Sequence, residues 1–339
     1  MTKATLHDVA KLAGVHYATA SRALGGRTSH LVNARTLERV VQAATDLGYV
    51  ANSAARSLRI NRTATLGVMV NDISASIVGE LVRGIEDIVV PAGYLTLVVN
   101  SDDDESREAA RVDSLVARNI DGLIVTSARF NTSKFDELAA TGLPIVLANR
   151  RLAESTLPSV TGDDASGIRA AVDHLVGLGH TRIAHIAGQA ESSTGRARAE
   201  AFRDAVRRHG LEVDEDLITV ASTYTSEEGR TQLAGLLSRR RDFTAVVAAN
   251  DALAIGGYDA LRDAGLECPR DISIVGFNNV PLTDKLRPAL TTVSVPHREI
   301  GREAARILMA WLESGEPAAK TVLLPVSLIV RESTAPPVG

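Results

Sequence analysis

Cysteine is all but missing from this 339-residue chain, with Cys268 standing alone. A single thiol rules out an internal disulfide framework and any multi-cysteine metal site, and it suits a reducing cytoplasm. Aromatic residues are scarce too, at 3% against 45% apolar residues, so interiors must be built from Ala, Val, Leu and Ile. No run of about 18 apolar residues occurs, which argues against a membrane-spanning helix. MTKATLHDVA lacks the apolar core of a signal peptide, so the expected location is the cytoplasm. Also absent are a Walker loop, a GxSxG elbow, a GxGxxG following a strand, and metal-ligand spacings such as HExxH. The chain is therefore not expected to be an enzyme, and it calls for no cofactor and no metal ion. His174, His180 and His185 fall near one helix and strand and read as core or surface residues. Ser, His and Asp are numerous, so counting alone leaves a catalytic triad open.

What is present is unevenly distributed. Residues 1–62 hold nine Lys/Arg against three acidic residues, a net +6, while the remainder holds 28 basic and 38 acidic groups, a net −10. A small basic head on a large acidic body suggests that only the head meets a polyanion. The length allows two or three domains.

The head reads as helical. Thr5 is an N-cap candidate for a helix with Leu6, Val9, Ala10 and Ala13 on one face. Gly14 permits a tight turn, and Val15 plugs the gap before a second helix, roughly Tyr17 to Leu24, with Ala20 and Ala23 inward. Small residues at Ala10 and Ala20 let the two helices cross closely, a helix-turn-helix whose second helix can enter a major groove. A third helix starts at the cap candidate Asn33, carries Leu37, Val40, Val41, Ala44 and Leu47 at helical spacing, and ends at Gly48. The basic segment 48–64 that follows reads either as a linker or as a short helix that forms only against DNA.

From Thr65 onward, strand-like runs alternate with amphipathic helices: 65–70, 94–99, 122–127 and 144–148, then 182–187, 217–221, 245–250 and 272–277. This predicts an α/β body of two similar parallel-sheet halves, with ligands beyond the carboxyl ends of the strands. VLLPVSLIV reads as one last strand, and no leucine heptad follows it to suggest a coiled-coil tail.

TLHDVAKLAGVHYATASRAL followed by LERVVQAATDLGYVANSAARSLR resembles the DNA-binding headpiece and hinge of the LacI/GalR family of bacterial transcription regulators. VDHLVGLGHTRIAHIAG, VVAANDALAIGGYDALRDAG and ISIVGFNNVPLTDKLRPALTTV resemble its effector-domain motifs, in the family's order and over essentially the whole chain. The resemblance implies a homodimeric repressor on double-stranded operator DNA. Its periplasmic-binding-protein-like body would respond to a small-molecule effector, commonly a sugar or related metabolite. The implied layout is a headpiece at 1–50, a hinge at 51–62 and a body at 63–339. The body would divide into subdomains of about 63–162 plus 291–320, and about 163–290 plus 321–335.

Carried over residue by residue, Tyr17, Ala18 and Arg22 read base edges, Arg22 suiting guanine O6 and N7. Thr19 and Ser21 suit phosphates, which position without specifying, and Thr5 and His16 are counted with them as DNA contacts. His16 replaces a small hydroxyl residue and is expected to weaken the helix cap. In the hinge, Asn52 would cap a helix, Ala54, Ala55 and Leu58 match the family's small-small-x-x-Leu pattern, and Arg56 and Arg59 would lie near phosphates. Leu58 would wedge into the minor groove and kink the duplex. Ala51 replaces a frequent proline. In the body, Asn149, Thr194, Arg198, Tyr224, Asn250, Asp251 and Asn278 are nominated as effector contacts, suiting a polyol. Ile77 and Val78, which replace aromatic residues, are nominated with them, and Asn149 and Asn278 stand where aspartate is frequent. Arg198 is expected to be free to face the cleft, so that Arg198→Ala leaves folding intact. A solute-binding transport protein shares the body's architecture, but the basic head and missing signal peptide argue against it. An activator remains an open variant of the repressor reading.

Overall fold

The structure, a computed structural model, describes residues 4–24, 31–49, 62–130, 132–317 and 321–338. The chain forms two compact units that divide between Thr63 and Ala64.

The first unit holds helices α1 (Leu6–Ala13), α2 (Tyr17–Ala23) and α3 (Ala34–Asp46). Thr5 Oγ accepts from the Asp8 N–H at 3.3 Å, and the Asp8 carboxylate accepts from the Thr5 N–H at 2.8 Å. This reciprocal capping box satisfies two backbone donors that the first turn would leave orphaned. Gly14 takes a left-handed φ of 62° at the turn, which a side chain would oppose. Val9, Ala10, Ala13, Ala20, Ala23, Val40, Ala43 and Ala44 form the core. Arg39 donates to the Ala13 carbonyl at 3.0 Å and ties α3 to the end of α1. Two residues of the expected third-helix stripe do not turn inward: Val41 is 47% exposed and Leu47 37%. The three-helix core is too small to cover them.

The second unit contains two six-stranded sheets. The first has the order β11-β5-β4-β3-β1-β2, with β1 (Thr65–Val70), β2 (Leu95–Asn100), β3 (Gly122–Val125), β4 (Ile145–Ala148), β5 (Ser159–Gly162) and β11 (Thr321–Leu324), all parallel. The second has the order β12-β10-β9-β8-β6-β7. Its strands are β6 (Ile183–Ala187), β7 (Ile218–Val220), β8 (Ala245–Ala248), β9 (Ser273–Asn278), β10 (Thr291–Ser294) and β12 (Ser327–Ile329), with only β12 antiparallel. Most of these parallel strands are linked by helical crossovers. These are α4 (Ser76–Val89), α5 (Glu105–Val116), α6 (Lys134–Ala139), α7 (Asp164–Gly177), α8 (Ser193–Arg208), α9 (Ser226–Arg239), α10 (Asp251–Asp263) and α11 (His297–Ser314).

Two strands were hidden by their polar letters. SVTG forms β5, and TTVS forms β10, where Thr291 and Thr292 are fully buried because Arg331 N–H donates to one hydroxyl and the other donates to Asp251. VLLPVSLIV, expected as one strand, divides at Pro325. Thr321 pairs with Ser159 in the first sheet, while Leu328 pairs with Val293 in the second. The expected subdomain boundaries are corrected accordingly. Residues 291–294 belong with the second sheet and 321–324 with the first, so the chain changes lobe near 163, 295 and 325.

Within each lobe a pair of helices meets backbone to backbone. A Cβ on Gly84 of α4 would lie 2.0 Å from the Arg298 carbonyl oxygen, and one on Gly301 of α11 would lie 2.2 Å from that of Leu81. In the other lobe, Gly229 of α9 and Gly256 of α10 approach the Leu253 and Ser226 carbonyls at 2.2 and 1.8 Å by the same measure.

Candidate functional site

In the first unit, α2 presents one polar face. Tyr17, Ala18, Ser21 and Arg22 recur at i, i+1, i+4 and i+5 and so share a side of the helix. His16, Tyr17 and Arg22 are exposed; Ala18, Thr19 and Ser21 are half-buried. His16 does not weaken the cap as expected. Its Nδ1 accepts from the Ala18 N–H at 3.2 Å, an imidazole doing what a hydroxyl would do. Thr5 is exposed but engaged in the capping box. Asn52, Ala54, Ala55, Arg56, Leu58 and Arg59 lie outside the described residues.

In the second unit, a cleft of about 470 Å³ opens beyond the carboxyl ends of the strands. Eight of the nine nominated body residues line it: Ile77, Asn149, Thr194, Arg198, Tyr224, Asn250, Asp251 and Asn278. Val78 does not. It is 2% exposed and packs in the core under α4, because adjacent helix positions point 100° apart. Ile77 alone faces the cleft.

Asn149 directly follows β4 and Asn278 ends β9, with φ of 63° and 114°. Asn279 and Leu282 continue the left-handed backbone at 54° and 75°. Such conformations cost about 1–3 kcal/mol each and tend to gather at functional sites. Asparagine tolerates them better than most side chains, one local reason for amides here. Asn278 Oδ1 is buried and has no hydrogen-bond partner. Asn250 caps α10 through its Oδ1, which accepts from Leu253 N–H at 2.8 Å. That leaves its NH₂ toward the cleft.

Arg198 is 4% exposed and is not free. Its Nε donates to Asp164 Oδ1 at 2.9 Å, its Nη2 lies 2.7 Å from the same oxygen, and its Nη1 donates to the Ala249 carbonyl. The guanidinium lies 3.8 Å from the Phe277 ring centroid. Burial pushes the Asp164 carboxyl upward, while the Arg198 charge and hydrogen bonds pull it down. The expectation of a free guanidinium is therefore corrected: its partner is buried and comes from α7. Arg150, 4% exposed, is likewise held, by Asp103 at 2.8 Å and the Ser127 carbonyl.

Asp251 is fully buried and directs its carboxylate away from a ligand role. It accepts from Val280 N–H at 2.8 Å and from the Thr292 hydroxyl. Burial raises its pKa to about 6. It therefore positions the 278–282 segment. Tyr224 OH lies 3.2 Å from Ser192 Oγ, the residue that caps α8. Gly188 makes room for that ring, since a Cβ there would fall 2.2 Å from the Tyr224 oxygen.

Asn71, Asp103, Arg150, Asp164 and Ser192 went unnoticed in the sequence. Asp164 lies two residues beyond the end of β5, so reading SVTG as a strand would have flagged it through the carboxyl-end rule. Among the described residues no cluster of His, Cys, Asp and Glu could hold a metal ion, and no helix is long and apolar enough to cross a membrane. His180 and His185 are buried core residues, 1% and 0% exposed.

Comparison with known proteins gives matches over both units. Residues 5–52 match the family described as bacterial regulatory proteins, lacI family, and residues 172–334 match a periplasmic binding protein-like domain. The chain is 33% identical to catabolite control protein A of Priestia megaterium, over 97% of this chain and 99% of that protein. It is 34% identical to the HTH-type transcriptional repressor CytR of Escherichia coli strain K12, over 98% and 97%. Among solved structures, the lac repressor dimer bound to operator and the anti-inducer ONPF superposes with a TM-score of 0.88 at 28% identity, covering 98% of this chain and 100% of that one. A complex of the regulator CelR with cellobiose gives 0.76 at 29%, with the same coverage.

Proposed function

This chain belongs to the LacI family of bacterial regulatory proteins, and from that premise we propose that it is a repressor binding a pseudo-palindromic operator as a homodimer under the control of a sugar-like effector. The observation that carries this reading is the pairing of a basic three-helix unit with a two-lobed body whose cleft lies at the strand carboxyl ends. On this reading α2 enters the major groove: Arg22, Tyr17 and Ala18 reach base edges, and Thr19 and Ser21 hold phosphates. The hinge residues Asn52, Ala55, Arg56, Leu58 and Arg59 complete the DNA contact. Dimerisation through the body sets the half-site spacing.

The effector occupies the cleft among Ile77, Asn149, Thr194, Arg198, Tyr224, Asn250 and Asn278. Its control arises from differential affinity for two arrangements of the lobes, because a ligand that binds both equally shifts nothing. The protein performs no catalysis, and turnover of a bound compound by pure protein would defeat that part of the reading. Selection of bound sequences from random DNA, with and without a metabolite panel, tests the whole. A palindromic consensus whose recovery changes with one compound is expected; no sequence preference would overturn the proposal.

A further inference from the structure

We infer that the cleft selects an uncharged ligand and rejects the phosphorylated or acidic form of the same compound. This inference rests on the reading of the cleft as an effector site and adds the chemistry that the site accepts. Among the described residues, four charged side chains line the cleft: Asp72, Arg150, Arg198 and Asp251. Each of the two cations already has its own carboxylate, Arg150 with Asp103 at 2.8 Å and Arg198 with Asp164 at 2.7 Å. Both arginines are about 95% buried as side chains, so neither can swing out to meet a phosphate without abandoning a buried acid. The two remaining charges are both negative. Asp251 is locked to Val280 and Thr292, and exposed Asp72 holds Ser74.

An anion entering this cleft would lose its hydration and meet no uncompensated cation, the arrangement in which burying a charge is most costly. The N-termini of α4, α8 and α10 do point toward the cleft, but each offers at most roughly half an elementary charge. In two of them one first-turn N–H is already taken, by the Ser192 and Asn250 caps, and Asp251 stands in the first turn of α10. A cation is offered only Asp72. What the wall does supply is neutral: Asn71, Asn149, Asn250, Asn278, Thr194 and Tyr224.

The test is calorimetric titration of the full chain with matched pairs: ribose and ribose 5-phosphate, glucose and glucose 6-phosphate, glucose and gluconate, uridine and its 5′-monophosphate. The tightest ligand should be an uncharged member, with its charged counterpart at least about 100-fold weaker. Asp164→Asn, which uncovers Arg198, should narrow that gap to about tenfold or less. Asn278→Asp serves if the first variant fails to fold, and should widen the gap by adding a carboxylate. A charged member that binds within tenfold of its neutral partner overturns the inference, as does a panel in which no neutral member binds. Adding the same compounds to the protein–operator complex separates the two ideas. A neutral ligand that binds yet leaves the complex intact defeats the regulatory reading only. A phosphorylated ligand that binds best and alters DNA binding defeats only the charge rule.

Discussion

Arg198 illustrates how a single buried contact reverses an expectation. Seen in GRARAEAFRDAVRR, it is one arginine among several, free to face the cleft; in the structure its charge is matched by Asp164 at 2.7 Å in a buried pair. Removing one partner of such a pair strands the other, at about 3–5 kcal/mol. Arg198→Ala should therefore destabilise the body by that amount in chemical denaturation. Arg198→Met combined with Asp164→Leu should recover most of the loss, because it removes both charges together. Equal losses in the single and double variants would mean that packing rather than charge is at stake. On α2 the expectation is different. Arg22→Ala should cost about 1–3 kcal/mol on the preferred operator and relax selectivity at one base pair. Arg59→Ala, if that side chain meets phosphate as proposed, should weaken all sequences alike and flatten the salt dependence. Binding across single-base operator variants distinguishes the two roles.

At the scale of elements, much was legible because parallel strands buried on both faces read as continuous apolar runs. TLGVMV, GLIV and AVVA could hardly be anything else. The misses share one cause: SVTG and TTVS are interior strands whose hydroxyls find partners, so their polar letters carry no penalty. The site was legible to the same extent, since the carboxyl-end rule finds Asn149, Asn250 and Asn278. Asp164, which acts on the site through Arg198, stayed hidden because SVTG does not read as a strand, and Asp103 because it acts only through Arg150. The helix crossings were not legible either, because a glycine inside a helix looks like a defect until its neighbour is known. Gly→Ala in a helix interior ordinarily gains about 1 kcal/mol, and Gly235 of α9, with nothing near its absent Cβ, should behave that way. Gly301→Ala should instead lose about 1–3 kcal/mol or more, since the Leu81 carbonyl 2.2 Å away is backbone and cannot step aside. Opposite shifts in melting temperature for these two variants are the expected outcome.

Considered as a whole, the molecule should be sensitive to acid. Burial lowers the pKa of His185 and of His297 from the ordinary 6.5 to about 4. Their neutral forms support the fold fully above pH 6.5, and that support, about 3 kcal/mol for each, is lost as pH falls toward 4. Asp251 works in the opposite sense. With its pKa raised from 3.8 to about 6, it contributes stability at low pH that is lost as pH rises through 6. Melting temperature followed from pH 7 to pH 4 should fall, less steeply in His297→Gln and more steeply in Asp251→Asn. Parallel curves for all three proteins would remove these groups as the cause.

The division of VLLPVSLIV at Pro325 reaches beyond stability into the order of biosynthesis. Thr321–Leu324 closes an edge of the first sheet, Ser327–Ile329 an edge of the second, and buried Ser333 donates to the Ile274 carbonyl. The ribosome thus delivers the three small helices first and the strands that complete both lobes at the end. Domains generally fold as they emerge, so a nascent or prematurely terminated chain would present a finished DNA-reading module on a body with two open sheet edges. Such a fragment could still touch DNA, but it would be deaf to any signal and liable to aggregate through those edges.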